Sequence, residues 1–174
     1  MHNLVKPKSL VAITLSLVSL FTYLPLNATG LPLTPSPPTY PTPSEHKQTI
    51  TQFLNEIQLI QNQVYDITQF AIQNPSEVNP QIENRISLIN TNIERLNRRI
   101  EDYLAIVSGI SDENRHVALT FNVINLVKSG LYTLTLLINT TADERRISLL
   151  DEYFRTRINA LDTLEILQEL LANY

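Results

Sequence analysis

The chain contains no cysteine, no tryptophan and only three glycines in 174 residues. Without cysteine there can be no disulfide, no thiolate zinc site, no cysteine nucleophile and no lipid anchor on an N-terminal Cys. The glycines, Gly30, Gly109 and Gly130, stand isolated, so no Gly-rich phosphate loop can form. Positive charge is scarce too: 13 Lys and Arg stand against 17 Asp and Glu, a formal charge of −4. No basic patch is left to release phosphate counterions, so neither nucleic acid nor an anionic membrane surface is an expected partner. With three histidines in all, no nucleophile–base constellation can be assembled, and the chain is expected not to be an enzyme.

Hydrophobic residues make up 43% of the chain, enough to bury a core. Residues 1–28 read as an export signal. Lys6 and Lys8 give a positive start, Ser9–Leu24 is apolar, and Ala28 follows the Pro25 break as a cleavage-compatible small residue. Leu26 is bulky for its position, which leaves an uncleaved anchor as the alternative; the membrane would then be touched through that segment alone. Removal of the segment leaves 11 basic residues against 17 acidic ones, a charge of −6. Residues 29–43 follow as a Pro-rich linker, with Pro32, Pro35, Pro37, Pro38, Pro41 and Pro43 favouring extended polyproline II. It reads as a stiff spacer, or else as a docking strip with Tyr40 as its contact. Asn27-Ala28-Thr29 and Asn139-Thr140-Thr141 match the glycosylation sequon, which matters only in a eukaryotic secretory host.

From Thr42 the pattern is helical to the end, and residues 44–174 are expected to form one domain. Thr42-Pro43-Ser44-Glu45 is a capping box with proline at the first helical position. Ile50, Phe53, Ile57, Ile60, Val64, Ile67 and Ala71 then recur at alternating steps of three and four, a helix seam. Asn74-Pro75 ends it and Asn79-Pro80 starts the next. The second seam is Ile82, Ile86, Ile89, Ile93, Leu96, Ile100, Tyr103 and Val107, with Glu94–Arg98 and Arg98–Asp102 as surface pairs and Gly109 as the stop. Ser111 caps the third helix. Thr141-Ala142-Asp143-Glu144 is a second capping box, opening a fourth helix whose seam is Ile147, Leu150, Phe154, Ile158, Leu161, Leu164, Leu167 and Leu171. Asp143, Arg145, Arg146, Asp151 and Glu152 read as a solvated face.

The third helix, Val117–Ile138, is the most apolar stretch after the signal. Its length would span a bilayer, but Lys128 at its middle would cost about 2.5–3.5 kcal/mol to insert. A buried bundle helix is therefore preferred, with Asn122, Asn125, Ser129 and Thr133 facing water. Its apolar face is roughly twice the width of an ordinary amphipathic stripe. Leu119, Leu126 and Leu137 widen it on one flank and form the candidate interaction patch. Short connections between four long helices predict an all-α, up-down-up-down antiparallel four-helix bundle behind a signal peptide and Pro-rich linker.

Bundles of this kind can hold two metal ions on two Glu-x-x-His motifs plus two further Glu. Only Glu113-Asn114-Arg115-His116 matches, so no metal or other cofactor is expected, and His116 is read as exposed behind an N-terminal charge. The layout of signal, Pro-rich lead and bundle resembles that of the extrinsic PsbQ-like subunits of photosystem II. No motif of that family occurs here and no residue role is carried over. The expectation is an exported, non-enzymatic bundle in a structural or protein-interaction role at the cell envelope or outside the cell, with a protein partner or self-association. The alternative is a carrier of a lipid or other small apolar ligand between its helices.

Overall fold

The computed structural model describes residues 40–73, 80–109 and 111–174. The expected export signal, the linker before Tyr40, the Asn74-Pro75 stop, Asn79 and the Ser111 side-chain cap lie outside the described residues. Four helices account for nearly all the rest: α1 (Pro43–Gln73), α2 (Pro80–Val107), α3 (Ser111–Ile138) and α4 (Asp143–Ala172). Among the described residues there is no strand. The four helices pack as a bundle: α3 lies against each of the other three, most extensively against α4, and α1 also packs on α2.

α1 starts as its sequence dictates. The Thr42 backbone N–H donates to Glu45 Oε2 at 2.8 Å and the Glu45 N–H returns to Thr42 Oγ1 at 3.3 Å, closing the capping box. All seven seam residues, Ile50 to Ala71, are buried. On α2 the seam is buried except for Ile86 and Tyr103, which are partly covered. α2 ends at Val107, and no described residue has a positive φ, so Gly109 follows the helix without a left-handed cap.

α3 meets its width with three neighbours. Val117, Val123, Ile124, Val127, Leu131, Leu134 and Leu137 are all buried. Lys128, the residue that argued against a membrane span, pairs with Glu94 of α2 at 2.6 Å. By length and composition α3 is long and apolar enough to cross a membrane, but here it sits among the other three helices. Asn122 and Ser129 face water as expected, whereas Thr133 is buried and donates to Glu152 Oε1 of α4 at 3.2 Å. Glu94 thus reaches α3 instead of Arg98, and Arg99 bridges to Glu56 of α1 at 2.6 Å. Only the Asp151–Arg155 pair forms along its own helix, at 2.8 Å.

α4 departs most from its sequence pattern. The second capping box does not form: Ala142 is the N-cap and no side chain caps the helix. Arg146, read from the sequence as part of a solvated face, is instead buried. Its Nη1 donates to the Leu137 and Thr140 carbonyls at 3.1 and 3.0 Å, and its Nη2 to the Ala71 carbonyl at 2.9 Å. One guanidinium thereby satisfies carbonyls at the C-terminal ends of α1 and α3, where the helix dipoles favour a cation. With residue 146 turned inward, Leu149, Tyr153, Ala160, Leu164, Leu167 and Leu171 follow on the same face and are buried. The first part of the expected seam is left outside: Ile147, Phe154, Ile158 and Leu161 are exposed and Leu150 is only partly covered.

Arg146→Ala should therefore lower the free energy of unfolding by about 3 kcal/mol, because it strands carbonyls that a charged donor had satisfied. The same change at the neighbouring exposed Arg145 should stay within about 0.5 kcal/mol of wild type. Urea denaturation of both variants measures the contrast.

Candidate functional site

One end of the bundle holds a polar cluster that the sequence reading left dispersed. His46 lies in the first turn of α1, one helical step before Ile50, and is fully buried. His116 lies near the start of α3 and is also buried, contrary to the expectation of an exposed histidine. Tyr103 comes from the end of α2, and Tyr174 sits just beyond α4. The His46 Nε2 and His116 Nδ1 atoms are 3.0 Å apart, and His46 Nδ1 is 2.8 Å from the Tyr103 hydroxyl. The His46 and His116 rings stack, and Tyr174 stands edge-on to both. The Tyr174 hydroxyl donates a short hydrogen bond to Glu113, which is itself buried one turn before His116.

The chain of bonds has a definite proton requirement. A neutral imidazole carries one donor and one acceptor. Either Tyr103 donates to His46 and His46 to His116, or the whole relay runs the other way. One added proton breaks no bond between the rings, whereas two would set N–H against N–H across 3.0 Å. Burial, then the neighbouring His116, holds His46 below the usual 6.5, with Glu113 opposing. Burial also depresses His116; Asp112 and Glu113 oppose it and Arg115 adds to it. For Glu113 burial acts upward, but it is outweighed by the Tyr174 hydroxyl, the carboxylate's own backbone N–H and the two imidazoles, leaving the group below 4.5. Tyr174 is pushed up to about 12 by burial and by the Glu113 carboxylate it donates to.

The cluster is a closed network. Among the described residues no group of three or more His, Cys, Asp and Glu converges in the manner of a metal site. The two best-defined grooves lie elsewhere. One, of about 20 Å³, is bounded by Gln61, Val64, Leu126, Gly130, Tyr153 and Arg157. That space holds at most one water, and the Gln61 Nε2 atom is buried beside it without a hydrogen-bond partner. The other is an open groove of about 480 Å³ between α2 and α3, floored by Ile86, Leu131 and Ile138 and rimmed by Glu83, Asn90, Lys128 and Tyr132.

The three leucines singled out from the sequence do not form a shared exposed patch. Leu137 is fully buried, and Leu119 and Leu126 are partly buried against the core. Among the described residues, four exposed apolar side chains share one face of α4. Ile147 is 68% exposed, Phe154 40%, Ile158 55% and Leu161 42%, with Leu150 half-covered among them. Beside this stripe, Tyr65 of α1 lies under the Arg157 guanidinium at 4.3 Å, and the exposed Ile72 follows Ala71, the acceptor of Arg146. No family model matches the chain, and neither a curated protein nor a solved structure matches it.

Sequence reasoning could have found the histidines. His46 lies four residues before Ile50 and His116 seven before Val123, so extending the first seam by one step and the third by one heptad places both imidazoles inside. It could not have found the α4 stripe, because two faces of the helix carry apolar residues at helical spacing.

Because burial holds both imidazoles below their usual 6.5 in the folded chain, the unfolded chain takes up protons first as pH falls past 6.5. Stability from the pair is full above that pH and drains away below it. The urea midpoint should fall between pH 7.5 and 5.5, and His116→Gln should flatten that slope. A slope left unchanged in the variant would place the loss elsewhere. At the alkaline end, Tyr174 withdraws its contribution as pH rises from 10 towards about 12.

Proposed function

We propose that this protein is an exported, non-enzymatic helical-bundle module whose role is to bind another protein at the cell envelope or outside the cell. The observation that carries the reading is the apolar stripe on α4. Ile147, Phe154, Ile158 and Leu161 stand open to water along one helix face while the rest of the bundle buries its seams. Other exposed apolar side chains, such as Leu59, Leu88, Ile106 and Tyr132, are spread over the other helices, whereas these four share one helix face. Apolar surface gathered in this way marks a contact surface, and an unpartnered helical seam suits another helix best. The N-terminal charge, apolar run and proline spacer support export and a stalk that holds the bundle clear of a surface.

The bundle is read as up-down-up-down and antiparallel. Two sets of contacts support that order. The starts of α1 and α3 meet the ends of α2 and α4 in the histidine–tyrosine cluster. The ends of α1 and α3 meet the start of α4 at Arg146. In this arrangement both polar ties lock the ends of the bundle, and the long faces between them are free for recognition.

A photo-crosslinking residue placed at Phe154 of the full chain, expressed in its own host, should yield an adduct with a protein. The same probe at Gln81, exposed on α2, should give far less. Equal labelling from both positions, or no adduct at Phe154, would sink the reading.

The groove between α2 and α3 favours a second reading, a carrier for a lipid or other apolar ligand. Its volume of about 480 Å³ and its Ile86, Leu131 and Ile138 floor suit an acyl chain. On that reading, native mass spectrometry of the protein from its host shows a bound lipid, and Ile86→Glu removes it. Protein that carries no lipid argues against the carrier.

A further inference from the structure

We propose that the α4 stripe is a self-recognition seam, on which a second copy of this chain docks antiparallel about a two-fold axis through Phe154. The proposal rests on the interaction reading above and names its partner.

The spacing of the stripe is the first argument. Its members are Ile147, Leu150, Phe154, Ile158 and Leu161, with steps of three, four, four and three. An ordinary heptad seam alternates three and four, so it reverses onto itself only about the middle of a step and never about a residue. This sequence of steps reads the same in both directions from Phe154. At 100° per residue the five Cβ positions fall within an arc of about 80°. A two-fold interface needs one surface that matches itself when reversed, with residue i meeting j and j meeting i. Reversal about Phe154 sets Ile147 against Leu161 of the second copy, Leu150 against Ile158, and Phe154 against its own equivalent.

Charge supplies the second argument. Asp151 and Arg155 border the stripe on its solvent side, 58% and 76% exposed, and already pair with each other. In the antiparallel two-fold arrangement like edges face each other. Arg155 then comes within about 3 Å, along the axis, of Asp151 of the second copy, and the converse pair forms by symmetry. A parallel arrangement would bring this edge against the opposite one, which carries Arg157, and would place two guanidinium groups together. At the centre of the stripe the charges thus favour the antiparallel orientation, which the spacing permits.

Area sets the expected strength. A large apolar side chain presents roughly 150–250 Å², so the four exposed residues offer about half of the ~800 Å² per partner of a standard interface. Leu150, Tyr65, Ile72 and the charged edge lie alongside to add to it. A reversible dimer in the micromolar range fits that area better than an obligate one.

The test uses the full chain. Sedimentation equilibrium should show a monomer–dimer equilibrium. Phe154→Glu should weaken it on the order of 100-fold, since it removes the central anchor and sets two carboxylates on the axis. Leu88→Glu, at an exposed leucine of α2, should leave it unchanged, and far-UV circular dichroism checks that both variants keep their helices. Orientation is read by disulfide trapping, which the cysteine-free sequence makes clean. Phe154→Cys should crosslink to itself. Ile147→Cys mixed with Leu161→Cys should crosslink, and Ile147→Cys alone should not.

A protein that stays monomeric to millimolar concentration overturns the proposal, as does a dimer that Phe154→Glu leaves intact. Self-crosslinking by Ile147→Cys would make the pairing parallel and overturns the two-fold through Phe154. A monomer that still gives a Phe154 adduct to a different protein in the host removes the second copy as partner and leaves the interaction reading standing. A monomer with no adduct removes both.

Discussion

The Arg146 guanidinium sets the rotation of α4, and much of the surface depends on that rotation. A buried cation must find acceptors, because leaving it unpaired costs several kcal/mol. The acceptors available are the terminal carbonyls of α1 and α3, held at 2.9 to 3.1 Å. α4 can meet them only with residue 146 turned inward. Leu149, Tyr153 and Ala160 then face the core, and the second apolar stripe of the helix faces water. The open surface is thus a consequence of a polar tie at one end of the bundle. The apolar residues alone do not choose between the two stripes.

The opposite end is tied by different chemistry. A relay of Tyr103, His46 and His116, in which each bond fixes the direction of the next, ties α1, α2 and α3, and Tyr174, just beyond α4, packs edge-on against both imidazoles and donates to Glu113. Such a network is costly when half-satisfied and specific when complete. With burial holding both imidazoles below their usual range, the expected response of the fold to acid falls in the histidine window, above the range in which carboxylates protonate. For a protein read as working outside the cytoplasm, where pH is less closely held, that response belongs to the fold itself and needs no separate sensor.

Between the two ties, α3 makes the bundle cohere. Its apolar face is too wide for one neighbour, and it packs against all three others. Tyr153 of α4 lies over Gly130 of α3, where a Cβ would sit 3.5 Å from the ring, so the most extensively packed helix pair meets at a glycine. The groove between α2 and α3 marks the looser side, where Lys128 and Glu94 pair across the gap.

The four helices, their order and most of their inward residues were legible from periodicity. Burial of a seam follows directly from the spacing that brings its members to one face, and α1 and α2 obey it nearly throughout. The capping box at Thr42 was legible because both its partners are local in sequence. The matching motif at Thr141 does not close, and α4 starts at Ala142 without a side-chain cap, while the turn before it is held by Arg146, whose guanidinium also reaches Ala71, 75 residues away. His46 and His116 are 70 residues apart and were visible singly but not as a pair. α4 carries two apolar stripes, and spacing alone could not say which one the core would take. Local pattern fixed which residues share a helix face; the direction of each face was decided only in the assembled bundle, where buried polar groups had to find partners on other helices.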